Sequence, residues 1–178
     1  TNFNLDDESF NRRFAKKLLK KSNRRVVYSI NDDIHLYEYG SGYALIDIKS
    51  MLILYYVKYE VKKYNALNIT TAQQVILWRN QANTYTVNIA KKIFFEFIIP
   101  KFGAIITDAL QTNEGQRFWL NRIGDAFNEG LYVYFVELIS PRIIRKLDRD
   151  EIPVIVKDAW GNQQKYQSKR IVITDHQL

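Results

Sequence analysis

Residues 74–108 read QVILWRNQANTYTVNIAKKIFFEFIIPKFGAIITD, and this stretch decides the fold. Gln74 to Trp78 is an apolar run with branched and aromatic side chains, the composition of a short strand, and it stops at Arg79. From Val87 the period changes. Ile89, Ile93 and Phe97, joined by Phe94 and Ile98, recur at three- and four-residue intervals, which predicts a helix over 87–97 closed by Pro100. Gly103 to Thr107 is a second apolar run and predicts a buried strand ending at Asp108. Strand, helix, strand in so short a span is a βαβ unit.

The pattern continues toward the C-terminus. Thr112 is a helix cap, Glu114 sits in the first turn, and Gly130 is a stop, so 113–128 predicts a second helix with Phe118, Ile123 and Phe127 inward. Leu131 to Leu138 is apolar nearly throughout and predicts another strand. After Pro141 the chain turns basic and polar (Arg142, Arg145, Lys146, Arg149). Short strands are predicted there at 152–156 and 170–174, with a turn at Trp160-Gly161-Asn162.

Toward the N-terminus the chain reads as extended segments. Runs at 26–30, 34–38, 43–48 and 51–62 are separated by Asn31-Asp32-Asp33, Gly40-Ser41-Gly42 and Lys49-Ser50, which are turn signals. In the last run Tyr55, Val57, Tyr59 and Val61 alternate with Tyr56, Lys58, Glu60 and Lys62, which predicts one buried and one wet face. Residues 6–21 predict a helix, acidic at its start and basic at its end, with Phe10, Phe14 and Leu18 as the docked stripe. The expected fold class is α/β of the α+β kind: a mixed, mostly antiparallel central sheet, with N-terminal hairpin strands followed by β-α-β-α-β. The expected organisation is a basic amphipathic helix over 1–25, the α/β body over 26–140, and a basic extension with short strands over 141–178 packed on the same domain.

Composition removes chemistry. Among 178 residues there is no Cys, which excludes disulfides, thiolate zinc sites and a cysteine nucleophile. Only His35 and His176 are present, too few for a His-rich metal site, so no metal is expected. His35, alternating with apolar neighbours, reads as a surface residue of a strand. The net charge of +7 is local: residues 1–25 hold eight basic residues against three acidic ones, and the other 153 are nearly balanced. No apolar run approaches the roughly 18 residues of a membrane span, and the start, TNFNLDDESF, is unlike a secretory signal. A cytoplasmic protein is the expectation.

The order helix, hairpin strands, strand–helix, strand–helix, strand resembles the GCN5-related N-acetyltransferases (GNAT). The stretch ITD at 106–108, followed by QTNEGQRFW at 111–119, looks like a divergent acetyltransferase-like group found among bacteriophage proteins. The resemblance covers about residues 26–140. It implies a GNAT-like fold, acetyl-CoA or another acyl-CoA as donor, transfer of an acyl group to an amine, and a setting in host cytoplasm or virion. In that family a Gly-containing loop follows the central strand, and its backbone N–H groups approach the pyrophosphate. The corresponding stretch, Arg79 to Ala90, has no Gly, and Tyr85, Thr86 and Val87 add bulk. Arg79, Thr84, Thr86 and Asn88 are the residues the resemblance assigns to the cofactor. The family's frequent general acid, a Tyr, aligns with Trp119, whose indole cannot supply a proton at neutral pH.

For catalysis the carboxylate candidates are Glu60, on the wetter face of its strand, and Asp108, at the end of a buried strand. Such an Asp lines a crevice or closes a turn. The losses in the loop and at Trp119 point to an alternative: an inactive scaffold that binds a protein partner or serves as a virion-associated module. A second alternative is a nucleic-acid-binding protein that uses Arg12, Arg13, Lys16, Lys17, Lys20 and Lys21. The same basic face also reads as ordinary solvated helix surface, or as a membrane-surface helix.

Overall fold

A computed structural model describes residues 3–65, 67–108, 112–139, 143–160 and 168–178. The fold is mixed α/β with mostly antiparallel pairing, and it divides into two compact units. One unit holds residues 1–60 and 74–90, the other 61–73 and 91–178.

The first unit begins with α1 (Glu8–Leu19). Asp7 caps it, its carboxylate accepting from the Phe10 N–H at 3.0 Å, which satisfies one of the orphan donors of the first turn. Then comes an antiparallel meander: β1 (Arg24–Ser29), β2 (Ile34–Tyr39), β3 (Gly42–Asp47) and β4 (Leu52–Tyr64), the last shared with the second unit. The β2–β3 turn requires left-handed backbone at Gly40, φ 53°. The end of β5 (Ile69–Arg79) also belongs to this unit.

Two expectations are corrected here. The deepest line of α1 is Asn11, Ala15 and Leu18; Phe10 and Phe14 are only half-buried at its flank. The reason is an open ladder position on β4. Asn11 accepts from the Ile53 N–H at 2.7 Å and donates to the Ile53 carbonyl at 3.1 Å and the Leu5 carbonyl at 3.1 Å. Its carboxamide does the work of a neighbouring peptide, so a polar residue takes the inner position. In β4, Ile53 to Val57 are all buried, and the wet alternation is confined to Lys58, Tyr59 and Glu60. Tyr56 lies in the cluster formed by Ala15, Leu18, Tyr39, Ala44, Ile46 and Ile53, so α1 covers the face that alternation leaves wet.

In the second unit the start of β5 pairs in parallel with β6 (Ala104–Ile106), at Ala72 with Ile105 and Gln73 with Ile106. β9 (Lys169–Thr174) lies antiparallel between β6 and β7 (Tyr132–Glu137), and β8 (Ile143–Lys146) pairs with the other side of β7. The segment between β5 and β6 is helical over 89–102: α2 (Ile89–Lys91), a π-helical stretch Lys92–Ile98, and α3 (Ile99–Phe102). Pro100 therefore does not close the helix as expected. It sits in the first turn of α3 just after the widened π stretch, where a missing N–H and the ring are tolerated. Gly103, φ 75°, is the true stop.

α4 (Asn113–Asn128) begins at Thr112, whose hydroxyl accepts from the Gly115 N–H at 3.1 Å, as the sequence predicts. Its buried residues are Trp119, Ile123 and Ala126, with Phe118 and Phe127 half-buried beside them. The strand expected at 152–156 is instead α5 (Ile152–Ala159). Ile152, Ile155 and Ala159 are buried at helical spacing, and the Asp148 N–H donates to the Glu151 carboxylate at 2.8 Å, a capping contact that starts a helix. The expected basic tail also contains a strand, β8. Of the expected turn at 160–162, Gly161 and Asn162 lie outside the described residues, as does Arg142. Among the described residues no helix is long and apolar enough to cross a membrane.

Candidate functional site

The loop after β5 is built around Thr86. This side chain is turned inward, 2% exposed; its hydroxyl accepts from Arg79 Nε at 2.8 Å and donates to the Asn83 carbonyl at 2.7 Å. Asn83 caps the short 3₁₀ turn Thr84–Thr86 by accepting from the Tyr85 N–H at 2.9 Å. The bulk that seemed to crowd the loop is directed outward: Tyr85 and Val87 are exposed. Thr84 and Asn88 are exposed as well. Asn88 then takes φ 61°, left-handed backbone, immediately before α2. Asn is one of the few non-Gly residues that reach this region readily. A conformation usually supplied by Gly is thus reached without one. Of the four residues assigned to the cofactor, Arg79 and Thr86 are brought into contact, and Thr84 and Asn88 stand on the same loop. Arg79 is exposed, with only its Nε engaged among the described residues.

The two carboxylate candidates differ in burial. Glu60 is exposed on β4. Asp108, just beyond β6, is half-buried and held by Gln73, whose side-chain N–H donates to Asp108 Oδ1. Gln73 in turn accepts from the Tyr64 hydroxyl at 3.1 Å. Burial raises the Tyr64 phenol above its ordinary value and lowers the Arg170 guanidinium; Arg170 and Asp108 each act on Tyr64, in opposite senses. This cluster fixes a carboxylate in one orientation. An amide does not relay protons, so Gln73 couples Tyr64 to Asp108 by geometry alone. Gln73 and Arg170 carry no site signal in the sequence, and Tyr64 reads there only as one of the tyrosines of a strand. The available signal is the pair Gln73-Gln74 just before the strand turns apolar at Val75, but the partners of Gln73 lie on other segments.

Trp119 is 2% exposed and packs edge-on against Phe94 and Phe118, at 5.8 and 5.4 Å between ring centres. It is a core side chain. His35 is half-buried on β2, with Nδ1 2.7 Å from the Ser29 hydroxyl.

The basic residues of α1 fall into two rows. Arg12 pairs with Glu8 at 2.7 Å and also contacts the Ser50 carbonyl, while Lys16 and Lys20 point to solvent. Arg13, Lys17 and Lys21 lie on the other flank, beside the half-buried Phe10 and Phe14. No family model matches the chain, and neither the curated proteins nor the solved structures yield a significant match.

Proposed function

We propose that this chain is a GNAT-like acyltransferase-fold protein, of the kind carried by bacteriophages and mobile elements, that takes an acyl-CoA and passes the acyl group to an amine. The observation that carries the reading is Asn88. The resemblance calls for backbone that departs from ordinary L-residue conformations in the loop before the helix, and Asn88 supplies it where Gly is missing. Thr86 is turned inward, while Tyr85 and Val87 are exposed. Arg79 offers its terminal nitrogens to a phosphate, and the first N–H groups of α2 have no intrahelical acceptor.

The chemistry asks little of side chains. The amine attacks the thioester carbonyl, backbone N–H groups stabilise the developing oxyanion, the C–S bond breaks, and the CoA thiolate takes the proton that the amine sheds. The test is titration calorimetry with acetyl-CoA. Binding heat that is lost in Arg79→Ala supports the reading; a folded protein that gives no heat at millimolar acetyl-CoA overturns it.

A second reading has its own observation. Trp119 is sealed in the core, so no phenol stands where the resemblance puts the general acid. That favours a chain that binds without turning over, as a protein-binding or virion-associated module. Acetyl-CoA binding without release of the CoA thiol in the presence of any amine acceptor, or a partner that co-purifies in stoichiometric amount, supports it.

A further inference from the structure

Two adjoining pockets open along the flank of α1 that carries Arg13, Lys17 and Lys21. The first, about 350 Å³, is lined by Phe10, Arg13, Phe14 and Lys17. The second, about 390 Å³, is walled by Phe3, Phe14, Tyr39 and Tyr56, with Lys17, Lys21 and Lys58 among its lining residues. Both lie within the first unit, and they share Phe14 and Lys17. Among the described residues no carboxylate lines either one.

Arg13 lies close enough to Asp7 to help hold that carboxyl below its ordinary value, and the other nearby carboxylates are engaged away from the lysines. Asp6 accepts from the Trp78 indole at 3.0 Å, Asp7 caps α1, and Glu8 pairs with Arg12. Among the described residues Lys17, Lys21 and Lys58 make no ion pair. Lys21 instead stands 5.1 Å from the centre of the Tyr39 ring. The walls are aromatic on both sides of the shared residue: Phe10 and Phe14 are stacked at 5.9 Å, and Phe3 closes on Phe14 and Tyr56 at 5.4 Å each. Phe3 remains 41% exposed, an apolar ring presented to solvent. The Gly40-Ser41 turn borders the second pocket with little side-chain bulk.

A repeating pair of aromatic wall and cation, one repeat per helical turn, matches a repeating ligand with flat apolar bodies and one negative charge per repeat. We propose that this flank binds single-stranded nucleic acid, with bases against Phe10, Phe14 and Phe3 and phosphates at Arg13, Lys17, Lys21 and Lys58. A lone small anion uses one pocket and leaves the shared wall unexplained; a strand uses both. The site is separate from the loop at 79–88 and does not depend on acyl transfer.

The experiment is fluorescence anisotropy of a labelled ten-residue oligothymidine with the intact chain. Four phosphate contacts predict a log–log salt slope of roughly −3. Lys17→Glu should weaken binding at least about tenfold and flatten that slope by about one. Lys16→Glu and Lys20→Glu, the same charge change on the solvent row, should cost far less. Phe14→Leu keeps apolar volume but removes the ring, and should also cost about tenfold. Equal losses on the two rows, or no binding at low salt, overturn the proposal. So does thymidine monophosphate binding as tightly as the oligomer, which marks a small-anion pocket. So does capture of the chain by phosphatidylserine vesicles without oligomer binding, which marks a membrane-surface helix.

Discussion

Replacing Asn11 with Ala removes the side chain that stands in for a missing strand neighbour. In the native fold it closes two bonds with Ile53, which is fully buried, and one with the Leu5 carbonyl. Alanine leaves the Ile53 N–H and C=O facing an apolar gap too small to be reliably wetted. Each orphaned buried group costs about 1–3 kcal/mol, so a loss of about 3 kcal/mol is expected for the pair. For a chain of this size, each kcal/mol lowers the midpoint by about 2–4 °C, which puts the expected drop at about 6–12 °C. Thermal unfolding followed by circular dichroism reads this directly. Asn11→Asp sharpens the test. An ionised carboxylate still accepts from the Ile53 N–H but meets the Ile53 carbonyl with a second acceptor, whereas the protonated acid donates there as the amide does. Burial raises the pKa of such a carboxyl, so the damage should be full at neutral pH and shrink as pH falls toward acid protonation. A midpoint shift below about 2 °C in Asn11→Ala, or an Asn11→Asp deficit that does not change with pH, refutes the ladder role.

Asn88→Gly should be neutral or slightly stabilising and should retain acetyl-CoA binding, while Asn88→Val, forced into left-handed backbone, should cost about 1–2 kcal/mol by denaturant titration. Asp47 accepts from the Ser50 hydroxyl and the Lys49 and Ser50 N–H groups; burial opposes its ionisation, but these bonds win and hold its pKa below the ordinary value. Its contribution is therefore present above the unfolded pKa of about 3.9 and is lost as pH falls through the lower folded value, so Asp47→Asn should flatten the acid limb of a stability–pH curve. Gln73→Leu should release Asp108 and Tyr64 and lower the Tyr64 phenol's dependence on Asp108; an unchanged tyrosinate titration by ultraviolet absorbance counts against the cluster.

Much of the secondary structure was legible because its signals are local. Thr112 and Gly115 cap α4 across three residues, Gly130 ends that helix through its own backbone, and the Gly40-Ser41 turn is set by the need for positive φ. The misreadings share a cause. At 152–156 a short apolar run fits strand or helix equally, and the contact between Asp148 and Glu151 that decides for helix lies before the run. At Pro100 the usual rule failed because a π-helical stretch precedes it.

By itself the sequence determined the succession of elements as far as β7, the sign and place of the charge, and the absence of thiol chemistry, since each depends on residues a few positions apart or on counting. Tertiary structure alone decided three other matters. Asn11 is inside because the Ile53 N–H and carbonyl on β4 take their hydrogen bonds from its side chain. Gln73 and Asp108, 35 residues apart, meet because β5 and β6 run in parallel. The basic residues of α1 divide into a solvent row and an aromatic-walled row because β4 supplies Tyr56 and Lys58 to one flank. Burial and hydrogen-bond demand come from whichever chain lies alongside, and no periodicity within one segment carries that information.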